Sequence, residues 1–113
     1  MHEMSLCENI RDILEEQARE SGFTRVNRVW LEVGPLSCVE PDALRFGFDV
    51  VMRGSVAQGA AVEIMTPIAT ARCLACQHIA EIKQRYDPCP QCGTGPMEMI
   101  QGDALRISKL EVV

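Results

Sequence analysis

Aromatic residues are scarce in this chain: three Phe, one Tyr and one Trp make up 4% of its 113 residues. Proteins that bind nucleic acid stack bases on aromatic side chains and follow the phosphates with a basic stripe. Here both are missing, since the formal net charge is −5 and the sequence pI is near 5.0. No nucleic-acid partner is therefore expected. Long apolar runs are also missing, and none approaches the roughly 20 residues that a membrane helix needs. With no signal peptide and no lipidation motif, the expectation is a cytoplasmic protein with no membrane partner. Histidine occurs only twice. No Ser-His-Asp set, phosphate-binding glycine loop or pair of catalytic carboxylates appears, so an enzyme is not expected. The six methionines are scattered rather than gathered into a copper-handling motif. There is no internal repeat and no low-complexity segment.

Six cysteines are present, and four of them form a pattern. Cys73-Leu-Ala-Cys76 and Cys89-Pro-Gln-Cys92 are two Cys-x-x-Cys pairs separated by twelve residues. Each pair presents two thiolates from a short knuckle, and the connector is long enough to bring one knuckle over the other. Four soft donors at about 2.3 Å close a tetrahedral Zn(II) shell and leave no position for water or substrate, which marks a structural site. Paired disulfides are disfavoured in a reducing compartment. A thioredoxin-like redox motif would account for one Cys-x-x-Cys within a larger βαβ pattern, and not for two. Iron in a rubredoxin-like site suits four thiolates equally well, although the low aromatic content is unlike rubredoxins. Zinc at Cys73, Cys76, Cys89 and Cys92 is the reading that fits best.

Around this segment the pattern is that of a small α/β protein. Ser5-x-x-Glu8 has the form of a capping box, and Leu6, Ile10, Ile13, Leu14 and Ala18 repeat at helical spacing, which predicts a helix over 6–21 closed by Gly22. Val29, Leu31 and Val33 alternate in a strand over 25–33, broken by Gly34-Pro35. Pro41 opens a second helix carrying Leu44, Phe48 and Val51 and ending before Gly54. A strand over 60–65 ends near Pro67. Beyond the cysteines, 97–101 and 105–112 read as strands separated by Gly102-Asp103, and the last has too little to pair with in a zinc ribbon. It is expected to return to the N-terminal sheet. The fold class is thus α/β, a small sheet with two helices over 1–68, an inserted four-Cys zinc-ribbon-like domain over 69–102, and a returning strand over 103–113. Cys7 and Cys38 are expected to be small buried hydrophobes, and His78 a surface residue.

The second place where the residues suggest metal chemistry is the N-terminus. His2 reads either as a solvated terminal residue or as part of a chelate. A residue as large as His in second position protects Met1 from removal. The Met1 amine, the deprotonated His2 amide and the His2 imidazole then form fused five- and six-membered rings, with Glu3 near enough to add an oxygen. Planar nitrogen donors of this kind suit Ni(II) and Cu(II) and suit zinc poorly.

Several segments together resemble the HypA/HybF family: Met1-His2-Glu3, Trp30-Leu-Glu-Val-Gly34, Ser37-Cys38-Val39-Glu40, Arg53-Gly54-Ser55-Val56-Ala57-Gln58-Gly59 and the two cysteine pairs. The resemblance covers essentially the whole chain. It implies a nickel metallochaperone of [NiFe]-hydrogenase maturation, with transferred Ni(II) and structural Zn(II). Carried over by position, it implies nickel ligands at Met1 (through its amine), His2 and Glu3, with a further carboxylate at Glu40, and zinc ligands at the four cysteines above. It implies as partners the nickel-handling GTPase of the pathway and the hydrogenase large-subunit precursor, for a monomer or homodimer. Its fold is a nickel-binding α/β domain with a zinc-binding domain inserted before the last strand. Two rivals share part of this evidence. A zinc-ribbon interaction module with an inert N-terminus predicts that His2 is dispensable, and an iron-thiolate electron carrier predicts red protein. A urease-directed nickel protein differs only in its client.

Overall fold

The computed structural model describes residues 3–113. Its first element, helix α1 (Glu3–Ser21), buries Cys7, Ile10, Leu14 and Ala18, a three-four-four spacing that keeps one face on the core. Two expectations change here. The helix begins before Ser5, so Ser5 and Glu8 lie inside it and form no capping box, and Ile13 is exposed while Cys7 takes its place on the buried stripe. The extra turn is held by tertiary contact. Helix α2 (Pro41–Val51) approaches α1 at Gly47, where a Cβ would stand 3.0 Å from Met4 Sδ and 3.3 Å from Cys7 Sγ. As expected, Gly22 closes α1, at a φ of 79° and with its amide donating to the Ala18 carbonyl.

Strand β1 (Val26–Val33) sits between β2 (Ala61–Met65) on one side and a C-terminal strand on the other. Val29, Leu31 and Val33 point into the core in strict alternation. Val26 joins them only because the ladder shifts register between Val26 and Arg28. The β1-α2-β2 crossover makes β2 parallel to β1. Both helices share a single hydrophobic cluster with this sheet, centred on Leu14, Leu31, Leu44 and Phe48. Three further strands, β3 (Thr70–Cys73), β4 (Ile79–Glu81) and β5 (Met97–Gln101), form a second sheet in the order β4-β3-β5, all antiparallel. The final strand, β6 (Leu105–Val112), leaves that sheet and pairs antiparallel with β1, which is the return expected from the sequence.

Between the two sheets three stretches of backbone cross closely, two of them at glycines and the third at Ala69. A Cβ on Gly34 would overlap the backbone of Gly102, and one on Gly102, whose φ is 105°, would overlap Ala69. The crossing is laced by hydrogen bonds from the Gly34 amide to the Ala104 carbonyl (3.0 Å) and from the Leu36 amide to the Gly102 carbonyl (2.8 Å). The molecule is elongated, with a radius of gyration of 17.1 Å, where a compact chain of this length would have about 13 Å. No described helix is long and apolar enough to cross a membrane.

Candidate metal centre

Strand β3 ends at Cys73, and the chain turns back at once. The Gln77 amide donates to the Cys73 carbonyl (2.9 Å), and the Cys73 amide donates to the His78 carbonyl (2.8 Å). Gln77 takes a φ of 65° to close this knuckle. The second knuckle repeats the geometry, with the Gly93 amide bonded to the Cys89 carbonyl at 2.8 Å. In consequence all four Sγ atoms lie within 4.8 Å of one another. The short distances run between knuckles, 3.6 Å from Cys73 to Cys92 and 3.6 Å from Cys76 to Cys89. Four sulfurs about 2.3 Å from a common centre would be separated by about 3.8 Å in a regular tetrahedron. All four thiols are free. The arrangement therefore fits a zinc ion, and among the described residues no fifth donor joins the cluster. His78 is not among the clustered groups.

Backbone amides point at the sulfurs and favour the thiolate form that a metal needs. Ala75 and Cys76 donate to Cys73 Sγ, both at 3.4 Å, Cys92 donates to Cys89 Sγ at 3.5 Å, and Gly95 to Cys92 Sγ at 3.4 Å. The amides of Thr94 and Gly95 bring the Cys92 thiol down to about 6. The Cys89 thiol is also lowered, chiefly by the Cys92 amide. Cys76 behaves oppositely. Its bond from the His78 amide favours the thiolate, but desolvation and the three neighbouring sulfurs outweigh it and push the thiol up to about 12. Four sulfurs this close cannot all carry charge unless a cation joins them. Gly95 lies in the bend that follows the second knuckle. In the structure a Cβ there would overlap Cys73 Sγ and crowd Ala75, so the glycine lets the turn close over the cluster.

The second group of expected ligands was Met1, His2, Glu3 and Glu40. Met1 and His2 lie outside the described residues. Glu3 opens α1, and its carboxylate accepts from the Glu40 amide at 3.4 Å. Glu40 is in turn the N-cap of α2, its own carboxylate accepting from the Asp42 amide at 3.3 Å. The structure thus brings Glu3 and Glu40 together across 37 positions of sequence, at the converging N-termini of two helices. Cys38 differs from expectation. It is exposed, in a left-handed turn at a φ of 62°, because the tight turn from Gly34 aims the side chain outward. Cys7 is fully buried as expected, its Sγ contacting the Leu44 carbonyl at 3.5 Å. Burial, followed by the charges of Glu3 and Glu8, pushes its thiol up to about 11.

Compared with known proteins, residues 1–112 match the family model described as HypA, hydrogenase/urease nickel incorporation, metallochaperone. The chain belongs to the HypA family. This is a metallochaperone family rather than a family of catalysts. Hydrogenase maturation factor HypA of Acidithiobacillus ferrooxidans is 54% identical over 112 residues, covering 99% of both chains. The HypA of Azotobacter chroococcum is 53% identical with the same coverage. The solution structure of the Ni metallochaperone HypA from Helicobacter pylori superposes over 100% of this chain and 98% of its own, with a TM-score of 0.80 at 23% identity. A second HypA solution structure gives a TM-score of 0.79. These superpositions show that the fold, two helices with small sheets, is that of the HypA solution structures.

Proposed function

We propose that this chain binds Ni(II) at its N-terminus and delivers it to a hydrogenase large-subunit precursor, while Cys73, Cys76, Cys89 and Cys92 hold a structural zinc. The observation that carries the nickel site is the pairing of Glu3 and Glu40 immediately after Met1-His2. Two helix N-termini converge there, each presenting partial positive charge that repels a cation. Carboxylates at both make the place tolerable for a divalent ion. Met1 supplies its amine and His2 its amide and imidazole, and Glu3 and Glu40 supply oxygen donors. Glu40 already accepts from the Asp42 amide, so helix capping competes with metal ligation and keeps that donor exchangeable, as cargo requires.

In this reading residues 1–68 with 103–113 form the nickel-binding domain and 69–102 the zinc-binding insertion. The partners are a nickel-handling GTPase and the hydrogenase precursor. The test is a nickel titration of zinc-loaded protein with a free N-terminus, repeated on His2→Ala and on a form extended by two residues before Met1. Uptake by the wild type and loss in both variants is the expected result. Equal binding by all three would place nickel elsewhere and refute the terminal site.

A further inference from the structure

The loop between β1 and α2 belongs by sequence to the helical part of the molecule, yet it is fastened to the cysteine-bearing sheet. Leu36 packs against the small cluster of Ala69, Ala71 and Ile82 beneath that sheet. Both its backbone polar groups are satisfied from the same side. Its amide donates to the Gly102 carbonyl at 2.8 Å, and its carbonyl accepts from Arg85 Nη2 at 3.2 Å. Arg85 lies between the two cysteine pairs and is itself steadied by Asp103 at 3.9 Å. From Leu36 the chain needs only four residues to reach Glu40. Those residues are fixed in a tight turn, with Ser37 Oγ donating to the Gly34 carbonyl at 2.6 Å and accepting from the Val39 amide at 3.4 Å. The turn ends where the Glu40 amide meets the Glu3 carboxylate.

We propose that Leu36 and Arg85 are positioning residues for the nickel site, holding the segment over 34–40 from the cysteine-bearing sheet so that Glu40 is presented to Glu3 only while that sheet is folded. The inference rests on the nickel site proposed above. Its physical basis is that the cluster under the sheet is small: among the described residues it consists of buried Ala69, Ala71 and Ile82, with Leu36 and two methionines partly buried against them. A core of that size does not hold its shape without the metal, so the anchor of the loop is only as firm as the cysteine cluster. Nickel need not touch the zinc-binding residues for the two sites to be linked, because the shared element is the short turn between them.

The test uses full-length, zinc-loaded protein with a free N-terminus and measures nickel affinity by competition with a chromophoric chelator. Leu36→Ala is expected to weaken nickel binding by about tenfold, the loss typical of removing a group that orients a ligand. Arg85→Gln should produce a smaller loss, and Leu36→Met should restore wild-type affinity. Zinc content should stay at one ion per chain in all three. In a Glu40→Ala background, Leu36→Ala should cause no additional loss, because the effect passes through Glu40. A readout without nickel accompanies these: the Glu40 amide chemical shift should move in Arg85→Gln and in zinc-stripped protein, and stay in place in Leu36→Met. An equal loss from Leu36→Ala with and without Glu40 overturns the proposal, as does an unmoved Glu40 amide in Arg85→Gln. Should Leu36→Ala lose zinc, Arg85→Gln and the amide shift decide alone. Nickel lost by His2→Ala but retained by Leu36→Ala and Arg85→Gln refutes the positioning role only. Nickel retained by His2→Ala refutes the terminal site itself.

Discussion

The two sheets of this protein are held together by different physics. Around β1, two helices and three strands bury Leu14, Val29, Leu31, Leu44 and Phe48 almost completely. Around β3 the buried side chains are Ala69, Ala71, Ile82, Cys73 and Cys89, with Ile82 the one large aliphatic group among them. The first region can rely on removing apolar surface from water, worth about 25 cal/mol per Å². The second has too little such surface and needs covalent-like cross-links from a metal. The difference shows in how backbone amides are used. Those near β1 complete ladders and helix ends, whereas those of Ala75, Cys76, Cys92 and Gly95 face sulfur.

Metal removal gives the largest expected contrast. Stripping zinc with a chelator should unfold 69–101, since structural zinc contributes on the order of 10–16 kcal/mol to small sites. Amide exchange should show protection lost in β3, β4 and β5 and kept in β1 and α1. Persisting protection in β3 after verified zinc removal would erase the distinction between the two regions. Phe48→Ala is the converse perturbation. It should destabilise the helical region by about 3–5 kcal/mol, read in urea denaturation, and leave zinc stoichiometry unchanged.

A narrower probe is Gly95→Ala. The added Cβ overlaps Cys73 Sγ, so zinc affinity should fall by about tenfold or more with little change in the far-UV signal of α1. Unchanged affinity would mean that the turn over 93–96 has room that the structure does not show.

Titration sharpens the contrast further, because protons act on the two regions at different pH. Protons compete with zinc for thiolate. With Cys92 near 6 and Cys76 near 12, zinc uptake at pH 7 must expel at least the Cys76 proton. Affinity should therefore rise by about a decade per pH unit above pH 6 for each proton displaced, and fall more steeply below it. Zinc competition between pH 5.5 and 8 measures both slopes. The smallest effect concerns Cys7 in the helical region. Its thiol is raised to about 11, so the folded state favours the neutral form. That stability is complete below the unfolded value near 9 and is lost as pH rises from 9 to 11. Subtracting the stability curve of Cys7→Ala should isolate the decline, and parallel curves would show that Cys7 does not contribute.

The cysteine cluster was legible because its chemistry is local: ligand count and spacing are properties of a few adjacent residues. Alternation at Val29, Leu31 and Val33, the Pro41 start and the Gly22 stop were legible for the same reason. The start of α1 was misplaced, since Ser5 and Glu8 make a plausible cap and only contact with α2 at Gly47 carries the helix past it. Cys38 was expected inside and is exposed, because its orientation depends on a turn fixed at Leu36 by residues from the other sheet.

By itself, then, the sequence determined that Cys73, Cys76, Cys89 and Cys92 gather into one cluster, where the second helix and the strands β1, β2, β5 and β6 lie, and that the last strand must find a partner outside the cysteine segment. Tertiary structure alone decided that Gly95 must lack a side chain, that the Glu40 amide meets the Glu3 carboxylate at the N-termini of two helices, and that Leu36 ties one sheet to the other. Periodicity and ligand spacing are short-range properties carried by neighbours in the chain. Close approaches and the convergence of two helix ends arise only when segments far apart in sequence are packed together, and no local pattern encodes them.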